Sequence, residues 1–449
     1  MTERKLTVVS GIHQGMHWFV LGTMVPVITL IKTSQGLTLF QVGLSVAVYS
    51  ATTMLLEIPT GGLADSIGRR KTYLLSMLFG LITGIAFFFS RGMGMFLVAS
   101  IGMGVTRALS SGAMDAYFVD AYNEEVQGSN LQGYLAKLEL FSLAGVAAGS
   151  FFGGLYPQFL GPFFADLWGM TRYYANAAAL IVFAGLQLAL TLAIIKPDAP
   201  RSTKQEARRV GKSRRTNPLR TGLARLQGTM RTSFQIVVRK RVFRLIFGGA
   251  LVIGLAISIL EQYWQPQIQA IYGDNSLGWI LGFLTAGYFL SGALGNIVIA
   301  GLGKLFKNHY TRLVAVLRAG AGLLFIILAL QDGTVGFTVF YFLIFFTVGL
   351  LSSPQNTIFH RHTPSRQRST LLSVESLFFQ GGGLISSLAL AAVAQHVSIS
   401  AAWIIAGVAF ALSALIYLGV DEYPQHDSAD NTMEEAYEFS KDTAPADSC

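Results

Sequence analysis

The sequence predicts an all-helical membrane protein whose twelve spans are arranged as two bundles of six. Three observations predict it. Of 449 residues, 52% are hydrophobic and 13% charged, where soluble domains carry about 25% charged residues. The apolar residues fall in continuous runs near the roughly 20 residues that a helix needs to cross a bilayer, too long for the strands of a barrel. A basic stretch, 196–244, divides these runs six and six.

The runs cover 7–31, 40–62, 73–90, 94–119, 132–157, 174–195, 243–270, 277–301, 310–329, 334–354, 370–394 and 400–419, numbered below as helices 1 to 12. Helix 1 follows a basic start, MTERK, but His13 and His17 interrupt it and no small-residue cleavage site follows, so it reads as a retained helix rather than a leader. Helix 2 holds Glu57 and runs into EIPTGGLADSIGRRK. Helix 4 carries Arg107 and Asp115, and helix 5 carries Glu139 and a series of glycines. Helix 7 contains EQYWQPQ, residues 261–267, whose Pro266 can kink it. Arg318 and Glu375 are the charges of helices 9 and 11.

Loop charge sets the expected orientation. The segments after helices 2, 8 and 10 contain Arg69, Arg70 and Lys71; Lys304, Lys307 and Arg312; and Arg361, Arg366 and Arg368. Loops after helices 1, 3, 7 and 9 hold at most one basic residue each. By the positive-inside rule both termini and the even-numbered loops are cytoplasmic, in a cell membrane. The organisation is then a six-helix bundle over 1–195, a basic cytoplasmic linker over 196–242, a second bundle over 243–420 and an acidic tail over 421–449. The central stretch holds fifteen Lys or Arg against Asp198 and Glu206. It lacks interleaved aromatics, so anionic lipid headgroups, not nucleic acid, are its expected partner. The tail holds nine acidic residues and one Lys, a disordered composition, and its removal leaves the first 420 residues at +17. Cys449, the single cysteine, excludes an internal disulfide and a cysteine metal site.

Between helices 2 and 3, Gly61, Gly62, Asp65, Gly68, Arg69, Arg70 and Lys71 form GGLADSIGRRK. Glycine lets the chain turn sharply, and an Asp beside cations can pair with them or cap a helix. This stretch resembles the signature loop of the major facilitator superfamily. The resemblance implies the fold of that superfamily, and a conformational latch in which Asp65 helps hold the cytoplasmic side closed when the protein opens outward. VTRALSSGAMDAYFVD resembles the family's arginine-containing helix 4 motif, with Arg107 and Gly112 in place and Ser111 where Gln is usual. GVAAGSFFGG resembles the antiporter motif of helix 5 through Gly145, Gly149, Gly153 and Gly154, with Ser150 in place of its proline. Bacterial drug:proton antiporters are the members that this pattern is most similar to.

Ionisable groups within spans are expensive and mark transport pathways. Glu57, Arg107, Asp115 and Glu139 are the candidates for proton coupling; Glu57, like Glu375, could instead hydrogen-bond a helix end, and Asp115 could merely neutralise Arg107. His17, Tyr117, Glu261, Gln262, Tyr263 and Trp264 are the candidates for substrate binding, combining rings with hydrogen-bonding groups as amphipathic organic molecules require. His13 and His17 lie one turn apart, suiting a relay or interior polar contacts, and without a third ligand they are weak metal evidence. No phosphate loop or HExxH zinc helix is present, so no cofactor, metal or enzymatic chemistry is expected. The expected function is proton-coupled export of drugs or hydrophobic metabolites by a monomer. Proton-coupled uptake of a small organic solute is one alternative, and a membrane sensor or scaffold another.

Overall fold

In the computed structural model, residues 2–110, 113–126, 130–195, 240–273, 277–302, 309–363 and 368–423 are described. Among them, eleven helices are long and apolar enough to cross a membrane. The remaining expected span, helix 1, is a 20-residue helix, Glu3–Gly22, made more polar by its histidines and glutamine. It breaks at Thr23–Val27, around Pro26, and resumes as Ile28–Ser34. Helices 2 and 3 are Leu39–Ile67 and Arg69–Phe88; helix 4 is Gly92–Ser110 with Ala113–Glu125; helices 5 and 6 are Leu131–Phe159 and Tyr174–Ile194. Helices 7 to 10 are Arg241–Tyr272, Leu277–Leu302, Tyr310–Ala329 and Thr334–His362. Helix 11 runs from Arg368–Ile385 through a π-helical turn, Ser386–Leu390, to Ala391–His396; helix 12 is Ile399–Leu412 with Ala414–Leu418. Helices 2, 4, 7 and 10 are longer than their apolar runs, because their ends carry polar residues that still find helical hydrogen bonds.

Local chemistry fixes where several helices start and stop. Thr38 and Gln41 form a reciprocal capping box at helix 2. Asn130 and Ser398 accept from the third residues of helices 5 and 12. Gly68 has φ 101° between helices 2 and 3, a conformation that an L side chain would strain.

The two halves repeat one packing plan. Helix 1 lies on helix 5 as helix 7 lies on helix 11; helices 2 and 4 pair as do 8 and 10, and helices 3 and 6 as do 9 and 12. Glycine makes these seams close: Gly145, Gly149 and Gly153 sit directly against the backbone at Gly15, Phe19 and Thr23. In the second half Gly382 meets Leu251, Gly349 meets Gly292, and Gly322 meets Gly407 in the same manner. Without a hydrophobic force between helices in lipid, such close approach is what favours one partner over another.

The connections between halves gather at the face opposite the N-terminus, called the far face below. Gln265 accepts from the Thr29 amide at 3.0 Å and donates to Val25 O at 2.6 Å, while the Thr29 hydroxyl donates to Gln262 O at 2.9 Å. Tyr263 donates to Leu39 O at 2.7 Å, and Leu39 N to Gln395 at 2.8 Å. Gly43 abuts Ser387 O in the π-helical turn, and Gly154 of helix 5 packs on Gly278 and Gly282 of helix 8.

Candidate functional site

In the first half a polar chain is threaded through helices 1, 3 and 6. His13 is fully buried, its Nε2 lying 2.9 Å from Thr191 Oγ1 and 3.1 Å from Gln187 Nε2. Gln187 also reaches Tyr73 Oη at 3.4 Å, and Tyr73 Oη lies 3.0 Å from His17 Nδ1. The histidines expected as neighbours are therefore joined through Tyr73 and Gln187, and the pair reads as interior polar contact. A buried polar group needs such partners, since leaving one unmade costs about 1–3 kcal/mol. Burial in this half also places Tyr134, which donates to Ser10 at 2.8 Å and stacks on Tyr122 at 4.7 Å.

Arg107 is exposed on helix 4, within electrostatic range of His17 and Tyr49. Asp115 is also exposed and accepts from Gln14 Nε2 at 3.1 Å. No ion pair joins Arg107 to Asp115 among the described residues, so helix 1, not Arg107, supplies the partner of Asp115. Glu139 is exposed on helix 5, about four turns from Gly154. Glu57 is half-buried on helix 2, and Tyr117 is half-buried with its ring edge-on to Phe118.

Helix 7 divides the residues that sequence grouped together. Glu261 is exposed and close enough to Tyr288 and Tyr341 to act on them electrostatically. Gln262 donates to Ser387 Oγ at 2.7 Å and, like Tyr263, belongs to the far-face junction. Trp264 is buried against Tyr341 at 5.5 Å. Neighbours in sequence point about 100° apart on a helix, which is why one tetrapeptide serves exposed surface, junction and core.

The loop between helices 2 and 3 is anchored by its arginines. Arg69 forms an ion pair with Asp120 and also bonds Ala116 O, and Arg70 Nε donates to Ile195 O at 2.7 Å. Asp120 thus joins helix 4 to helix 3. Lys71 is exposed. The side chain of Asp65, the surroundings of Gly61 and Gly62, residue Gly112, and the expected linker 196–239 and tail 424–449 lie outside the described residues.

Several participants carried no sequence signal of their own. Thr29, Gln395, Gln187 and Thr191 are neutral, and neutral polar groups occur in spans for many reasons. Gln187 had the best claim, as an amide within the apolar helix Tyr174–Ile194. Lys32, buried at the far-face end of the first span, donates to Ser45 Oγ at 2.8 Å. In the second half, a cavity of about 390 Å³ is lined by helices 7 and 9 to 12, with Arg318 and Glu375 on its walls.

Two glycine-seamed bundles of matching pairing, joined at one face, are the architecture of a membrane transporter. The sequence profile of the Major Facilitator Superfamily matches residues 10–385 and 281–441, and the chain belongs to that superfamily. It is 20% identical over 409 residues to the uncharacterized MFS-type transporter YxaM of Bacillus subtilis, covering 91% of this chain and 94% of that one. Among solved structures it is similar to the nucleoside transporter NupG, with a TM-score of 0.71 and 12% identity over 93% of this chain and 100% of that one. It is also similar to an inward-facing, unoccupied bacterial homolog of the human lysosomal transporter Spinster, with a TM-score of 0.65 and 12% identity over 99% of both chains.

Proposed function

We propose that this superfamily transporter exports an amphipathic small organic molecule from the cytoplasm in exchange for protons. On this reading the face bearing the termini is cytoplasmic, because the basic segments of the even-numbered loops collect there. The junction at the far face then corresponds to the conformer closed to the outside. Rocking of the bundles would break the bonds of Gln265, Thr29 and Tyr263 and open the far face while the face of the termini closes.

One observation carries the reading of exchange. Helix 5 is sealed on two sides by its motif glycines, Gly145, Gly149 and Gly153 on helix 1 and Gly154 on helix 8 of the other half. A helix bound this tightly at its far-face end resists partial opening, which favours strict exchange over leak. The groups then divide: Asp115, Glu139, Glu57 and Arg107 for the proton, and Glu261 beside Tyr288 and Tyr341 in the second half, with His17 and Tyr117 in the first, for the solute. Anionic lipid at the basic linker 196–242 and function as a monomer complete the proposal.

The test uses inside-out vesicles energised to an acid interior, holding a pH-reporting dye. A panel of amphipathic drugs and metabolites is added, with nucleosides included because one structural relative is named for them. Proton release that is lost in Glu139→Gln vesicles is the expected result. A radiolabelled solute that leaves pre-loaded vesicles together with protons would establish uptake by symport instead.

A further inference from the structure

The cavity of the second half has an unusual charge arrangement. Arg318 of helix 9 is fully buried, where an unpaired cation is costly. It is stabilised there by neutral acceptors: Nη1 donates to Ser413 Oγ at 2.7 Å and Nη2 to Gly249 O at 2.9 Å. In the amide orientation that satisfies both groups, Gln355 Oε1 accepts from Nη2 at 2.8 Å and Nε at 3.0 Å. The guanidinium also lies over the rings of Tyr417 and Phe410, at 4.6 and 5.4 Å. Most of its five donors are therefore used within the protein. Arg318 contributes a fixed positive charge behind the wall and offers little to a ligand.

Glu375 of helix 11 lines the same cavity and differs on each of these points. It is half-buried, and it makes no hydrogen bond or ion pair with any described residue. Ser352, Asn356 and Ser376, exposed on helices 10 and 11, add hydrogen-bonding groups to the same cavity, and Leu372 and Phe379 supply exposed apolar surface. The charge that a ligand can reach is thus a carboxylate on a partly greasy wall. Tyr417, which interacts electrostatically with both Arg318 and Glu375, links it to the buried cation.

We propose that this cavity is a binding site for an amphipathic organic cation, with Glu375 as its counter-ion. The apolar body of the ligand lies along Leu372 and Phe379, and the ring of Phe379 adds attraction for the positive centre. Arg318 is the positioning residue whose fixed charge keeps the pocket electrically balanced before the cation enters. The proposal rests on the reading of an amphipathic solute above and narrows its class.

The test is equilibrium binding of radiolabelled tetraphenylphosphonium to the full chain in nanodiscs, with neutral triphenylphosphine oxide and anionic tetraphenylborate as parallel probes. Saturable binding of the cation is expected, weakened about tenfold or more in Glu375→Gln, largely kept in Glu375→Asp and unchanged in Glu124→Gln. Unaltered melting temperature and monodispersity of Glu375→Gln establish that a loss is not misfolding. Equal cation binding in wild type and Glu375→Gln overturns the assignment, as does preference for the neutral or anionic probe, and neither touches the transport reading. No binding of any probe overturns the assignment as well, and only if the vesicle panel also gives no coupled movement does the reading of an amphipathic solute fall with it.

Discussion

Arg361 and Glu422 meet at 3.3 Å where helices 9, 10 and 12 end on one face. The Glu422 carboxylate also accepts from the backbone amides of Tyr310 at 2.7 Å and Thr311 at 3.1 Å, capping helix 9, while the rings of Tyr310 and Tyr423 flank Arg361 at 4.9 Å each. The first half has a counterpart in Arg69 with Asp120 and Arg70 with Ile195 O, which join the corresponding helices 3, 4 and 6. The polarity is exchanged: the first half anchors a cation of helix 3, the second an anion after helix 12.

This clasp makes Glu422 a stabilising residue although it lies at the end of the last span. Glu422→Ala removes a cap and a partly buried ion pair together, at an expected cost of about 2–3 kcal/mol. Glu422→Gln keeps acceptors for the helix and should cost less. Thermal unfolding in detergent compares them; equal loss in both variants would assign the effect to charge alone.

Gly154 leaves no room for a side chain against helix 8. Gly154→Ala should destabilise the far-face junction by about 1–3 kcal/mol through overpacking. In a Cys449→Ser background, a cysteine placed at the buried Val42 should then react faster with an impermeant thiol reagent from the far side. An unchanged rate would show that the seam yields without opening.

Gln265 offers a subtler perturbation, because it makes two bonds between halves and no charge. Gln265→Leu should weaken closure by about 1–2 kcal/mol, roughly 5–30-fold in the ratio of conformers. The same labelling at Val42 reads this out. Gly154→Ala and Gln265→Leu should be nearly additive if they act at separate points of one junction.

Asn176 serves the first half alone. Its Nδ2 donates to Thr23 O at 2.7 Å and Gly153 O at 2.6 Å, fastening the break in helix 1 to helices 5 and 6. Asn176→Leu leaves two buried carbonyls short of a donor and should cost about 2–4 kcal/mol. Unfolding measurements check it, with Asn176→Asp expected to be worse because it adds a buried charge.

Much of this architecture was legible in the sequence because apolar runs are long-range signals that need no partner. Glu57, Arg107, Asp115, Glu139 and Glu261 stood out for the same reason: a charge in a span is conspicuous. The duplicated helix pairing was not legible, since glycines such as Gly145 and Gly382 serve equivalent seams without sharing a motif. The break at Thr23–Val27 hid within one apolar run, as Pro26 alone does not say whether a helix kinks or restarts. The far-face junction was hidden differently, because Thr29 and Gln265 are neutral and lie 236 positions apart. The partners of Arg318 were hidden too, being a backbone carbonyl, a hydroxyl and an amide where a carboxylate would be sought.

The central claim is that the two bundles move against each other as the far-face junction makes and breaks, and paired distance measurements test it most directly. Spin labels would be placed at Asn123 and His360 on the face of the termini, and at Leu160 and Asp332 on the far face, in a Cys449→Ser chain reconstituted in nanodiscs. Double electron–electron resonance at acid and alkaline pH, and with and without a transported compound, should show one pair shortening as the other lengthens. Two pairs that stay fixed, or that lengthen together, would contradict the account.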